Sequence, residues 1–208
     1  AMTDSREPLA RPGPVLDGDR MISDVRWLAD PQLEGRENGS VGLERATQWV
    51  ADRFQEIGLK EGAPDGSFFD CWSVEELQSR TERDSTLRNV IGVIPGTDDS
   101  LSGQSVVVLA HVDHLGRGWP DVRSGNEGKI HPGADDNASG VAVMLETARI
   151  LAATHRPARS VIFVATSAEE PEICRHRGSG SAARASRSAR EVVGVPGLPA
   201  EGTDRRAA

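Results

Sequence analysis

Apolar side chains recur along this chain in blocks whose spacing alternates between helical steps and continuous runs. Over 21–29, Ile22, Val25 and Leu28 share one side and predict a short helix. From Val41 to Ile57, Leu43, Ala46, Val50, Phe54 and Ile57 recur at steps of three and four, and Gly58 follows as a stop signal. Residues 89–94 and 105–110 are short β-branched runs, the second almost wholly apolar, as suits strands buried on both faces. Between them, 96–103 reads as a hairpin-type connection. Over 139–153, Val141, Met144, Leu145, Ala148, Leu151 and Ala152 form one stripe, with Ser139 placed to cap the helix start. Residues 160–165 are a third apolar strand.

The order strand, loop, helix, strand implies a right-handed parallel crossover. The expected fold class is therefore α/β, with a mostly parallel central sheet flanked by helices. Pro8, Pro12, Gly13 and Pro14 interrupt any regular pattern near the start, so 1–20 reads as a flexible arm. After Glu170 the patterning stops, and 171–208 is a mixture of Arg, Ser, Ala, Gly and Pro with no helical stripe. This organisation divides the chain into an arm over 1–20, an α/β domain over 21–170 and an irregular tail, with the domain expected to be incomplete on its C-terminal side.

Composition narrows the function classes. A hydrophobic content of 37% with 27% charged residues describes a soluble globular chain. No apolar run approaches the ~18 residues of a membrane span, and 1–20 lacks the apolar core of a signal peptide. A formal net charge of −8 argues against a nucleic-acid partner. The tail runs against that trend, with seven Arg and no Lys over 171–208. Cys71 and Cys174 are too few for a disulfide framework or a zinc finger and read as two unrelated thiols.

Three clusters sit beside the apolar segments. His111-Val112-Asp113-His114 follows the second strand, Gly133-Ala134-Asp135-Asp136-Asn137 precedes the strong helix, and Glu169-Glu170 follows the third strand. Ligands of open α/β sheets bind at the carboxyl ends of strands, so all three should converge on one rim. Each has an ordinary explanation alone: a loop histidine, helix capping by acidic residues, a solvated pair of glutamates. Together, that many carboxylates repel unless a cation neutralises them. An imidazole among carboxylates suits zinc better than magnesium or calcium, and one Asp can bridge two zincs ~3.5–4 Å apart.

These segments resemble the di-zinc aminopeptidase family, peptidase family M28, which also includes glutamate carboxypeptidases and glutaminyl cyclases. The resemblance lies in His111-Val-Asp-His-Leu-Gly116, Gly133-Ala-Asp-Asp-Asn-Ala-Ser-Gly140 and Ala168-Glu-Glu170, with weaker likeness over 28–42 and 57–60. It covers roughly 21–170, and the Gly133 to Gly140 octapeptide is its most specific part. The resemblance implies that His111 ligates one zinc and that Asp113 holds its imidazole as a supporting carboxylate. It implies that Asp135 bridges two zinc ions, that Glu170 ligates the second, and that Glu169 is the general base. Asp136 would then support the turn at Asp135, and His114 and His131 carry no assigned role. The implied substrate is a peptide with a free N-terminus, and the implied setting is secreted or periplasmic.

The same resemblance implies two further ligands, a carboxylate after a later strand and a histidine later still. Downstream the only histidine is His176 and the only aspartate is Asp204, neither in such a setting. His111, Asp135 and Glu170 leave each zinc about two protein ligands where catalytic zinc normally has three. The expectation is a truncated or frame-shifted member of the family, with one edge of its sheet uncovered. Two other readings stand beside the exopeptidase: a non-catalytic remnant that binds metal weakly, and an acyltransferase of the glutaminyl cyclase type.

Overall fold

A computed structural model of the chain describes residues 15–73, 86–117, 124–154 and 157–169. Helix α1 spans Gly18–Leu28, α2 Val41–Ile57 and α3 Ser139–Thr154; the strands are β1 Lys60–Glu61, β2 Phe69–Ser73, β3 Thr86–Ile94, β4 Ser105–His111 and β5 Ser160–Thr166. Helix α1 begins inside the expected arm, because Asp17 caps it by accepting from the Arg20 amide. The first fourteen residues of that arm, and the tail over 171–208 with Cys174, His176 and Asp204, lie outside the described residues.

The five strands form one sheet in which β1 and β2 both pair with β3, β3 pairs with β5, and β5 with β4. The expected crossover is present: β4 and β5 run parallel in the register Val107↔Ile162 and His111↔Thr166, joined through α3. The other described pairings are antiparallel, so the sheet is mixed rather than mostly parallel. The segment after β3 reverses the chain, but it is no hairpin, since β5 is inserted between β3 and β4. Adjacent apolar runs in sequence cannot reveal that a later strand will separate them.

Alternation along the strands sorts the core into two layers. Phe54, Val50 and Ala46 of α2 and Val141, Met144, Leu145 and Ala148 of α3 pack with Val90, Phe163 and Ala165 on the helical face. Ile91, Val93, Ile162 and Val164 make a smaller buried cluster, and the register Ile91↔Val164 and Val93↔Ile162 puts them on the other face. Trp27 of α1 stacks on Trp49 of α2 at 4.5 Å between ring centroids, fixing the two helices against each other. Glu146 of α3, itself buried, accepts from the Asp17 amide at 2.7 Å and from Arg149, so the entry to α1 is pinned to α3.

Strand β4 differs from the expectation of burial on both faces. It ends the described sheet, and Val106, Val107 and Leu109 are 50%, 40% and 51% exposed. Among the described residues, no strand or helix covers the outer edge of β4.

Candidate metal centre

The parallel pairing of β4 and β5 brings their carboxyl ends to the same rim. His111 is the last residue of β4, and the β5 strand ends at Thr166, three residues before Glu169. Between Thr166 and Glu169 the chain passes through Ala168, whose φ of 63° lies in the left-handed region. Three successive amides of this stretch donate to buried side chains: Ser167 to Asn89 Oδ1 at 3.0 Å, Ala168 to Asn38 Oδ1 at 3.1 Å, and Glu169 to Asp113 Oδ2 at 3.0 Å. The loop carrying Glu169 is therefore held by side chains from three other segments, and its backbone donors are satisfied where water is excluded.

His111 is turned toward the rim. Its Nδ1 lies 3.2 Å from the Asp113 carbonyl and 3.8 Å from the Asp113 carboxylate, and its Nε2 lies 2.9 Å from Asp136 Oδ1 and 4.0 Å from Glu169 Oε2. A carbonyl only accepts, so Nδ1 carries a hydrogen and Nε2 is the nitrogen turned toward Asp136 and Glu169. The nearest of these neighbours to Nε2 is the Asp136 carboxylate. A nitrogen and a carboxylate oxygen at this spacing can share a proton or face one metal ion. The imidazole is thus oriented first by the backbone of Asp113 and only more distantly by the carboxylate expected to hold it.

The acidic turn before α3 places its two aspartates differently, although both are exposed. Asp135, expected to bridge two metals, has an exposed side chain, and its carbonyl accepts from Ser139 Oγ at 2.8 Å. The carboxylate against His111 belongs to Asp136, expected only to support the turn. Asp136 and Asn137 have non-helical backbones and are joined by a cis peptide bond. Ser139 is already helical, so the helix start is capped by Asn137, whose Oδ1 accepts from the Gly140 amide at 3.0 Å. Two adjacent aspartates cannot be told apart by type or spacing; only the fold of the turn selects one.

Sequence reading also missed Arg36. Its side chain is buried, and its guanidinium donates to the carbonyls of Val112 at 2.7 Å, Pro132 at 2.8 Å, Gly133 at 2.9 Å and Leu28. Val112 lies between His111 and Asp113, and Gly133 lies just before Asp135 and Asp136, so one planar fork ties two site loops together. The Arg36 carbonyl accepts from the His114 amide at 3.1 Å, adding a backbone tie. Beside this charge, burial first and Arg36 second hold the His114 imidazole below its ordinary pKa. Gly35 completes the join at φ 72°, where an added Cβ would fall 2.5 Å from the His131 carbonyl. The only signal available in sequence was an arginine between a glycine and two polar residues in a loop.

The donor set fits part of a zinc site. Two ligands of a tetrahedral zinc stand about 3.3 Å apart, and the His111 to Asp136 separation of 2.9 Å is close to that. Among the described residues, however, no group of three His, Cys, Asp or Glu side chains is arranged to hold a metal ion. Glu170, the remaining expected ligand, lies outside the described residues. The described part of the rim thus supplies a nitrogen and a carboxylate facing each other, with a second carboxylate nearby.

The model of Peptidase family M28 matches residues 89–195, just over half of the chain. The chain belongs to peptidase family M28. The match begins later than the expected resemblance and continues past Glu170, and it leaves out the loop of Arg36 and Asn38. A probable zinc metalloprotease of Pyricularia oryzae is 32% identical over 129 residues, 62% of this chain but 24% of the relative. Among solved structures, a leucine aminopeptidase precursor from Bacteroides thetaiotaomicron superposes with a TM-score of 0.56 at 22% identity, covering 75% of this chain and 48% of the other. A glutaminyl cyclase from Fimbriiglobus ruber does so with a TM-score of 0.57 at 21% identity, covering 77% and 50%. The M28 chain described here therefore spans about a quarter of these curated relatives' length and half of these solved neighbours. The likeness to the neighbours supports the zinc exopeptidase-like fold expected from the sequence.

Proposed function

We propose that this M28 chain carries part of the metal centre of a zinc-dependent exopeptidase that removes N-terminal residues from peptides. The observation that carries the reading is His111 Nε2 facing Asp136 Oδ1 at 2.9 Å, with Glu169 Oε2 4.0 Å away, at the carboxyl ends of β4 and β5. In this reading His111 and Asp136 would hold zinc, Asp136 in place of Asp135, with Glu170 as a further expected ligand. Zinc, when bound, supplies a Lewis acid for the scissile carbonyl and lowers the pKa of water in its coordination sphere. Glu169 acts as the general base. At 4.0 Å from Nε2 it stands farther off than Asp136 Oδ1 at 2.9 Å, which leaves it available to take a proton.

The reading is tested by titrating the protein with zinc and assaying an aminoacyl-anilide and an N-terminal glutaminyl peptide. Zinc uptake with release of the anilide supports it; cyclisation of the glutaminyl peptide without hydrolysis would mark an acyltransferase. A folded chain that takes up no zinc would mark a non-catalytic remnant. The assignment of Asp136 has its own expected result. Asp136→Ala should weaken zinc binding on the order of 100-fold or more, whereas Asp135→Ala should change it by less than about 10-fold. Chelator competition reads both, and the reverse ranking would return the ligand role to Asp135.

A further inference from the structure

The loop of Arg36 and Asn38 lies outside the matched family region, yet it reaches the centre of the rim. Asn38 is buried at 4% exposure and uses both ends of its amide. Its Nδ2 donates to Asp113 Oδ2 at 2.9 Å, and its Oδ1 accepts from the Ala168 amide at 3.1 Å. The next amide, Glu169, donates to the same Asp113 Oδ2 at 3.0 Å. Asn38, Asp113 and the Ala168–Glu169 backbone thus close a ring of three hydrogen bonds. On one side of it stands the residue whose carbonyl orients His111, on the other the residue proposed as the base.

We propose that Asn38 is a positioning residue that holds the metal-facing imidazole of His111 and the carboxylate of Glu169 in one fixed relation. The ring needs a side chain that donates to a carboxylate and accepts from an amide at the same time, and at this length only Asn does both. Aspartate keeps the acceptor but sets a second carboxylate against Asp113. Alanine removes both contacts and leaves the Ala168 amide without its acceptor in a buried place. Left-handed Ala168 sits inside the ring, so its conformation is held by partners rather than by its own preference. The ring lies behind the ligands, and its loss should act on zinc binding through the angle and reach of His111.

The inference rests on the zinc reading above, and the experiment separates the two. Zinc affinity of the 208-residue chain is measured with zinc ion alone by chelator competition, and amide exchange of Ala168 and Glu169 is followed in the same protein. Val50→Ala, a fully buried change on α2, serves as the control for general loss of stability. Asn38→Ala is expected to weaken zinc binding about 10- to 100-fold and to speed exchange at Ala168 and Glu169 by at least about 10-fold. Val50→Ala should leave both near wild type. Asn38→Asp keeps the side-chain volume and the acceptor for Ala168 but sets a carboxylate against Asp113. It should weaken zinc binding to a similar extent and speed exchange at Glu169, and it replaces Asn38→Ala if the alanine form does not fold. If the Asn38 variants match Val50→Ala in affinity and exchange, the proposal is wrong. If the wild type takes up no zinc, the exopeptidase reading fails, while unchanged or faster exchange at the two amides still decides whether Asn38 fixes the Glu169 loop.

Discussion

Arg36→Ala is expected to lower the free energy of unfolding by roughly 3–5 kcal/mol. The side chain is 1% exposed, and its guanidinium serves carbonyls from α1, from the end of β4 and from the turn before α3. Removing it leaves buried carbonyl oxygens without a donor, each costing about 1–3 kcal/mol, although some will find water. Domains of this size are stable by only about 5–15 kcal/mol, so the loss is a large share of the total. Arg36→Lys should recover less than half of it, because an ammonium cannot reproduce the planar fork that reaches separate carbonyls. Urea unfolding followed by circular dichroism measures both. A cost for the alanine change below about 1 kcal/mol would mean that the loops are held by other contacts.

The contrast between Arg36 and the core shows what a sequence of this kind discloses. The stripe of α2 and its closing Gly58 predicted Val41–Ile57 to the residue, because burial against the sheet and a left-handed cap act locally and leave a periodic trace. The parallel relation of β4 and β5 was legible for a similar reason: a long amphipathic helix between two apolar runs has few ways to cover a sheet. The position of β5 between β3 and β4 was not, since strand order is decided by long-range packing that leaves no mark in either strand.

The site follows the same division. That a histidine and several carboxylates should meet at one rim could be inferred from their places after strands and before a helix. His111, Asp113 and Glu169 do come together there. Which of two adjacent aspartates faces His111 depended on a non-helical turn that neither residue announces. Asn38, Asn89 and Arg36 were invisible for a further reason. Apart from the Asn38 bond to Asp113, the bonds described for them go to backbone atoms, and backbone acceptors and donors have no identity in a sequence. The clusters that carry chemistry can be recognised by residue type, whereas the residues that aim them cannot.

Glu169→Gln is expected to leave zinc uptake within a few-fold of wild type while lowering kcat on the order of 10²–10⁴-fold. The measurement belongs in zinc-loaded protein with measurable aminoacyl-anilide release. The Glu169 backbone stays tied to Asp113 whichever side chain it bears, so glutamine should occupy the same place. Its amide has nearly the volume of the carboxylate and can still hydrogen-bond to water, but it cannot accept a proton and hold it. A drop confined to kcat would therefore isolate proton transfer from binding. The side chain is 57% exposed and its Oε2 stands 4.0 Å from His111 Nε2, farther than Asp136 Oδ1 at 2.9 Å. Loss of zinc from Glu169→Gln would contradict that reading of the distance and make Glu169 a ligand. Unchanged turnover with zinc retained would leave no proton acceptor at this position, and the base would have to be sought among the other carboxylates of the rim.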